Sequence, residues 1–213
     1  MADEPASAAV EVKDGKLISG EVTDKITAKI EKGKLAAIDA LIVHQTGGAT
    51  AASALASYKT GSTGAHFLID TDGTICKTAR ITQKCWHIGK IRSRCYELKL
   101  CSADELKAVN KILFKKGEAY SVRVDKLHTY ESAKAYPDRY PTNEDALGIE
   151  LVGAFHSKTD AYDTVSADQN ASLTWLVKAL LAYAKLTAAD VYRHPEVSYK
   201  TATKAKTAEW NSK

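Results

Sequence analysis

Two apolar runs constrain the fold of this chain more than any other feature. LAAIDALIVHQTGG (35–48) and ALGIELVGAF (146–155) place Val, Ile and Leu on successive positions without polar alternation. A strand that is apolar on both sides needs cover on both faces of its sheet, which suits a buried strand beneath helices rather than an exposed antiparallel one. The segments between them supply the cover. GATAASALASYKTG (48–61) reads as a small-residue helix stopped by Gly61. Ser102 and Glu105 form a capping box ahead of Leu106, Val109, Ile112 and Leu113 at helical spacing. Ser166 and Gln169 repeat that logic ahead of Leu173, Leu176, Val177, Leu180 and Leu181, the clearest amphipathic helix in the chain.

Three further segments complete the outline. GAHFLIDTDGTICKTA (64–79) is two strand-like runs around Thr71-Asp72-Gly73, a hairpin signal. DVYRH (190–194) is a short last strand, and residues 116–143, rich in Tyr, Pro, Asp and Asn, read as a long loop. Strands alternating with helices predict an α/β domain, a mixed β-sheet flanked by helices. The 213 residues are enough for one sizeable core. Residues 1–16, Ala/Glu/Lys/Pro-rich and without periodicity, read as a flexible arm, and 17–213 as the domain.

Charge and cysteines bound the partners. A net charge of +4 is a mild excess, and the basic stretch Lys84, Lys90, Arg92, Arg94 and Lys99 is weaker than the basic patch with interleaved aromatic residues that a nucleic-acid surface wants. No apolar run approaches the length of a membrane span. The N-terminus carries acids where a signal peptide would carry positive charge, so synthesis in the cytoplasm without a leader is expected. Cys76, Cys85, Cys95 and Cys101 fall within one short stretch without a CxxC, which disfavours a zinc ribbon. One disulfide is expected among them, Cys95–Cys101 or another pair.

The polar residues at strand ends carry the chemistry. His44 closes the first buried run beside Gly47-Gly48, Glu150 interrupts the second, and His194 closes the last strand. In a mixed sheet such ends converge on one mouth. A carboxylate inside an apolar strand is costly unless it has a partner or a task. Two histidines with a carboxylate suit zinc and a water that zinc activates.

ALIVHQTGG, GAHFLIDTDGTI, CWHIGK, NEDALGIELVG and YRHPEVSYKT occur in the order found in the zinc-dependent N-acetylmuramoyl-L-alanine amidases and peptidoglycan recognition proteins, and the chain resembles that superfamily over about residues 35–210. CWHIGKIRSRC with NEDALGIELVG is similar to amidases associated with type VI secretion. The resemblance implies an enzyme that cleaves the amide between N-acetylmuramic acid and L-alanine of peptidoglycan. It implies zinc on His44 and His194, Glu150 as general base or positioner of the zinc-bound water, Lys200 on the developing oxyanion, and His66, Trp86 and His87 along the substrate cleft. It also implies action in the periplasm or cell wall, that of a target cell for a secreted effector, with a cognate immunity protein as partner, and a monomer.

The pattern departs at one point. The family's third ligand is an Asp or Cys eight to ten residues after the last histidine, where this chain has Ala202 and Lys204. Three readings follow. Another group, His66, His128 or Glu209, or a small anion or water, completes the site; two histidines bind zinc weakly; or the chain is a ligand-deficient peptidoglycan binder. A phage endolysin differs in delivery rather than in chemistry.

Overall fold

The computed structural model describes residues 10–210. Its central sheet is built from β3 (Val22–Asp24), β5 (Ala40–Gly47), β6 (Phe67–Ile69), β7 (Ile75–Lys77), β9 (Ala146–His156), β10 (Ala161–Tyr162) and β11 (Val191–Arg193). The strand order is β11-β5-β9-β6-β7-β3, with β10 antiparallel to the far end of β9. The first three pairings, β11/β5, β5/β9 and β9/β6, are parallel, and β6/β7 is the antiparallel hairpin expected around Thr71-Asp72-Gly73. Gly73 takes φ +84 there, a left-handed conformation that favours glycine. The mixed sheet flanked by helices is as expected.

The two continuous apolar runs are the two central strands. Leu41 and Val43 of β5 face the main core, where α5 (Ala167–Ala184) lays Leu173, Leu176, Val177 and Leu180 against the sheet. Ala40 and Ile42 face the other way, onto Ile88, Ile91, Tyr140 and Val197. Both capping boxes are present, at Ser166/Gln169 of α5 and at Ser102/Glu105 of α3 (Ala103–Leu113). The helix α1 (Ala51–Thr60) ends at Gly61 as its sequence predicts.

Two expectations change. Residues 116–143 are not a long loop, because α4 (Tyr120–Ser132) lies within them and buries Val124, Leu127 and Glu131. Ala119 offers no capping side chain and the apolar stripe is thin, so neither usual signal is present. The arm expected over 1–16 is structured from Val10 onward. There β1 (Glu11–Lys13) and β2 (Lys16–Ile18) form a hairpin that seats Val10, Val12 and Leu17 on the main core. Residues 1–9 lie outside the described residues. The remaining pieces are a small pair, β4 (Glu31–Lys34) with β8 (Gln83–Cys85), and two four-residue helices, α2 (Arg94–Glu97) and α6 (His194–Val197).

Cys95 and Cys101 form a disulfide closing the loop around α2, while Cys76 and Cys85 are buried and free. Unreduced protein denatured in guanidinium is therefore expected to titrate two thiols; four would contradict the bridge.

Candidate active site

Register alone assembles the centre of the site. His44 on β5 pairs in register with Glu150 on β9, which pairs in turn with Leu68 on β6. Arg193 of β11 pairs with Val43, so the next residue, His194, arrives beside His44. In-register neighbours in a parallel sheet point to the same face. His194, His44 and Glu150 thus form one row, on the face opposite α5. His44 and His194 are almost wholly buried.

The row opens on a cleft of about 810 Å³. His87, Tyr58, Lys200 and Lys204 line it as well, with Trp86 and Asn143 at its walls. Gly148 stands two residues before Glu150 on the same face, and a Cβ there would come within 2.8 Å of His87 Nδ1. The missing side chain is what lets the His87 ring lie against β9. Asn143 Oδ1 accepts from the backbone N–H groups of both His87 and Ile88, at 3.0 Å each, and so pins the CWHIG segment over the sheet.

The histidines form a chain of contacts. His194 Nε2–H donates to the Ile88 carbonyl at 2.7 Å, His194 Nδ1 meets His44 Nδ1 at 2.7 Å, and His44 Nε2 meets His87 Nδ1 at 2.9 Å. His87 Nε2 ends the chain, 3.3 Å from the Ala146 carbonyl. Four links need four protons, whereas three neutral imidazoles bring three. The last and longest link is the one left weak.

Burial, reinforced by the neighbouring histidines and by Lys204, holds His44 and His87 well below the usual imidazole range. His194 is lowered to about 3, first by burial and then by Lys204. Glu150 is pushed up by burial, against the pull of Lys204 and Lys200. Lys204 is lowered, again by burial first, although Glu150 favours its charge. The two groups stand 3.9 Å apart, each side chain 14% exposed, an ion pair by proximity rather than a hydrogen bond.

The donor set does not fit a resident zinc. Two imidazoles held tetrahedrally at about 2.0–2.1 Å from zinc would stand about 3.3 Å apart, wider than the 2.7 Å between the Nδ1 atoms. His87 lies on the other nitrogen of His44, so the three rings are in line and do not converge. Among the described residues no three His, Cys, Asp or Glu side chains are arranged to hold one metal ion. Position 202 is exposed and off the cleft, whereas position 204 lines it. Of the two positions only 204 faces the cleft, and it carries a lysine.

Other expectations are sorted by the same geometry. His66 does not reach the cleft: it is fully buried, its Nε2–H donates to the Gln83 carbonyl and its Nδ1 accepts from Gly148 N–H. Both nitrogens are spent on backbone, so it can contact neither substrate nor metal, and it packs behind His87 at 5.8 Å between ring centroids. His128 lines the cleft, but its Nδ1 accepts from Ile91 N–H at 3.3 Å. Glu209 is exposed and away from the cleft. Trp86 is 47% exposed at the rim, with Lys32 Nζ 5.1 Å from its ring. Much of the basic stretch is engaged elsewhere: Lys84 with Glu144, Lys90 with Asp125, and Arg92 with Glu97.

Tyr58 is the residue that sequence reasoning missed. It is 6% exposed and lines the cleft, and the Ala65 backbone is a near polar neighbour of its hydroxyl, outside good hydrogen-bond geometry. Burial, with Glu150 nearby, pushes its pKa well up, so the phenol stays a proton donor. It was hidden in an Ala-rich helix whose signal was its end, not its face.

The family model described as N-acetylmuramoyl-L-alanine amidase matches residues 34–209. The chain belongs to the N-acetylmuramoyl-L-alanine amidase family. No curated protein sequence matches it significantly. Among solved structures it is similar to AmpD, at 15% identity over 88% of this chain and 87% of that one, with a TM-score of 0.53. It is also similar to AmpDh3 of Pseudomonas aeruginosa, at 17% identity over 78% and 53%, with a TM-score of 0.50. The endolysin amidase LysCS of Clostridium intestinale matches at 16% identity over 85% of both chains, with a TM-score of 0.48. At such identities the likenesses to AmpD and AmpDh3 show the fold alone.

The buried imidazoles make this family member acid-sensitive. His44, His87, His194 and His66, the last lowered to about 4 by burial, all have folded pKa values below the unfolded one. The unfolded chain then binds protons near pH 6.5 that the folded chain refuses. Their stabilisation is complete above about 6.5 and is lost as pH falls towards the folded values. Calorimetry is expected to show Tm falling from pH 7 to 5, with up to about four protons taken up on unfolding. A Tm flat over that interval would contradict the burial described.

Proposed function

We propose that the cleft takes the amide between N-acetylmuramic acid and the L-alanine of the peptidoglycan stem, and hydrolyses it. The observation that carries this reading is the row of His194, His44 and Glu150 opening on one cleft with Lys200, Lys204 and Tyr58, in a chain of the amidase family. Glu150, whose pKa burial raises, is placed to take a proton from a water lying on the row. The water oxygen attacks the lactyl carbonyl carbon, and the oxyanion that forms faces the ammonium groups of Lys200 and Lys204. The proton passes from Glu150 to the alanine nitrogen, the C–N bond breaks, and a muramyl carboxylate and a free stem-peptide amine leave. His44 and His194, neutral and locked by their neighbours, orient the water and do not titrate during the step.

A peptidoglycan binder that does not cut is the second reading. Lys204, at the place of the family's anionic ligand, favours it. The two readings separate on purified sacculi, where wild-type protein is expected to release stem peptides and Glu150→Gln to release them about 100-fold more slowly, the lower range of general-base catalysis. Sedimentation with sacculi without release selects the binder. Neither release nor sedimentation sinks both.

For place of action, we propose the periplasm or cell wall of a competing cell, reached by secretion, with an immunity protein in the producer. The likeness of CWHIGKIRSRC and NEDALGIELVG to secretion-associated amidases supports this, as does the Cys95–Cys101 disulfide, a bond that persists in oxidising compartments. The chain fused to an export leader is expected to lyse cells, and the Glu150→Gln fusion or the leaderless chain to leave them intact. Equal harmlessness of exported and leaderless chain would sink the effector role.

A further inference from the structure

Lys204 is held in the cleft by the strands that deliver the two histidines. Gln45, next to His44 on β5, accepts from Ala205 N–H through Oε1 at 3.2 Å. Arg193, next to His194 on β11, donates through Nε to the Ala205 carbonyl at 3.1 Å and through Nη2 to the Ala208 carbonyl at 2.8 Å. Ala205 itself is fully buried and takes φ +56, a left-handed position that a non-glycine residue adopts at a cost. The backbone carrying Lys204 is thus clamped from both sides, and its side chain enters the cleft from a fixed point.

The ammonium that arrives there is nearly buried and under-used. Lys204 Nζ has three donors, and among the described residues its one close partner is Glu150 Oε1, at 3.9 Å, beyond hydrogen-bond reach. A buried cation with free donors, on the wall of a cleft whose imidazoles are neutral, is built to meet an oxygen acceptor. Like charge opposes a divalent ion at the same place. Lys200 adds a second ammonium from the rim of the same cleft.

We propose that the Lys204 ammonium is the cleft's resident cation, and that this chain recognises the carbonyl and carboxylate oxygens of a muramyl peptide through it, without a divalent metal. The inference rests on the reading of the cleft as a muramyl-peptide site. It makes Lys204 a specificity-determining residue: the charge that a metal centre would present is supplied covalently, and ligand binding becomes indifferent to chelators.

The test uses full-length protein purified without chelator, its zinc content measured by mass spectrometry, and N-acetylmuramyl-L-alanyl-D-isoglutamine titrated by calorimetry with EDTA or with added zinc. Wild-type protein is expected to carry substoichiometric zinc and to bind the muramyl dipeptide equally in both conditions. Lys204→Met is expected to weaken binding about tenfold or more, the worth of a charge-assisted hydrogen bond, with Tm preserved. Lys204→Arg, which keeps the charge, is expected to bind nearly as well as wild type, so that a packing defect in the Met variant is told from loss of charge. Lys204→Glu is expected to acquire stoichiometric zinc and EDTA-sensitive binding. Stoichiometric zinc in the wild type with binding abolished by EDTA overturns the proposal while leaving the muramyl-peptide reading intact. So does a Lys204→Met variant that binds as tightly as wild type in EDTA. No binding by any form in either condition overturns both.

Discussion

The parallel register of β5 against β9 is the constraint on which the rest depends. It fixes His44 opposite Glu150. A slip of one residue would turn the slipped strand over, sending either His44 or Glu150 to the α5 face, into the packing of Leu173 and Leu176. The register is protected because the strands are apolar on both sides. Leu41, Val43, Leu147, Ile149 and Leu151 are committed to one core, and Ala40, Ile42 and Ala146 to the other. The site is in this sense a by-product of burial: three polar residues occupy positions whose neighbours leave them one direction to point.

A second layer steers what stands over the row. The Asn143-Glu144-Asp145 segment just before β9 makes three separate attachments. Asn143 holds the backbone of His87 and Ile88, Glu144 meets Lys84 at 2.8 Å, and Asp145 pairs with the buried guanidinium of Arg139 while accepting from Thr142 N–H. Ile88 then offers its carbonyl to both His194 Nε2 and Ser198 Oγ. Fixing the tautomer of His194 therefore traces back to Asn143, whose Oδ1 bonds go to backbone N–H groups. Such supporting contacts orient site histidines as firmly as direct ones.

Much of this was legible in the sequence because burial writes a long pattern. The two central strands, the hairpin at Thr71-Asp72-Gly73, both capping boxes and the apolar face of α5 all leave signals spread over several residues. The row of His44, Glu150 and His194 followed from two strand-end histidines and a carboxylate inside an apolar strand. What was illegible depends on single contacts. α4 has no cap and few buried positions, and the 11–18 hairpin is three-residue strands of mixed polarity. His66 looked like a cleft histidine, but Gln83 and Gly148 claim both its nitrogens, which no spacing reveals. Tyr58 and the side on which position 204 faces were hidden for the same reason: they are facts of packing between distant segments.

The central claim is that His44, His87 and His194 line the surface on which a muramyl peptide is read. Imidazole nitrogen resonances of labelled protein, followed while the muramyl dipeptide is added, test it most directly. The account predicts that the ring signals of these three histidines shift together and saturate. His156, exposed and bonded to Asp163 at 2.6 Å, is predicted to stay in place. Saturable shifts at His156 with none at His44 or His194 would put the ligand on another surface and contradict the account.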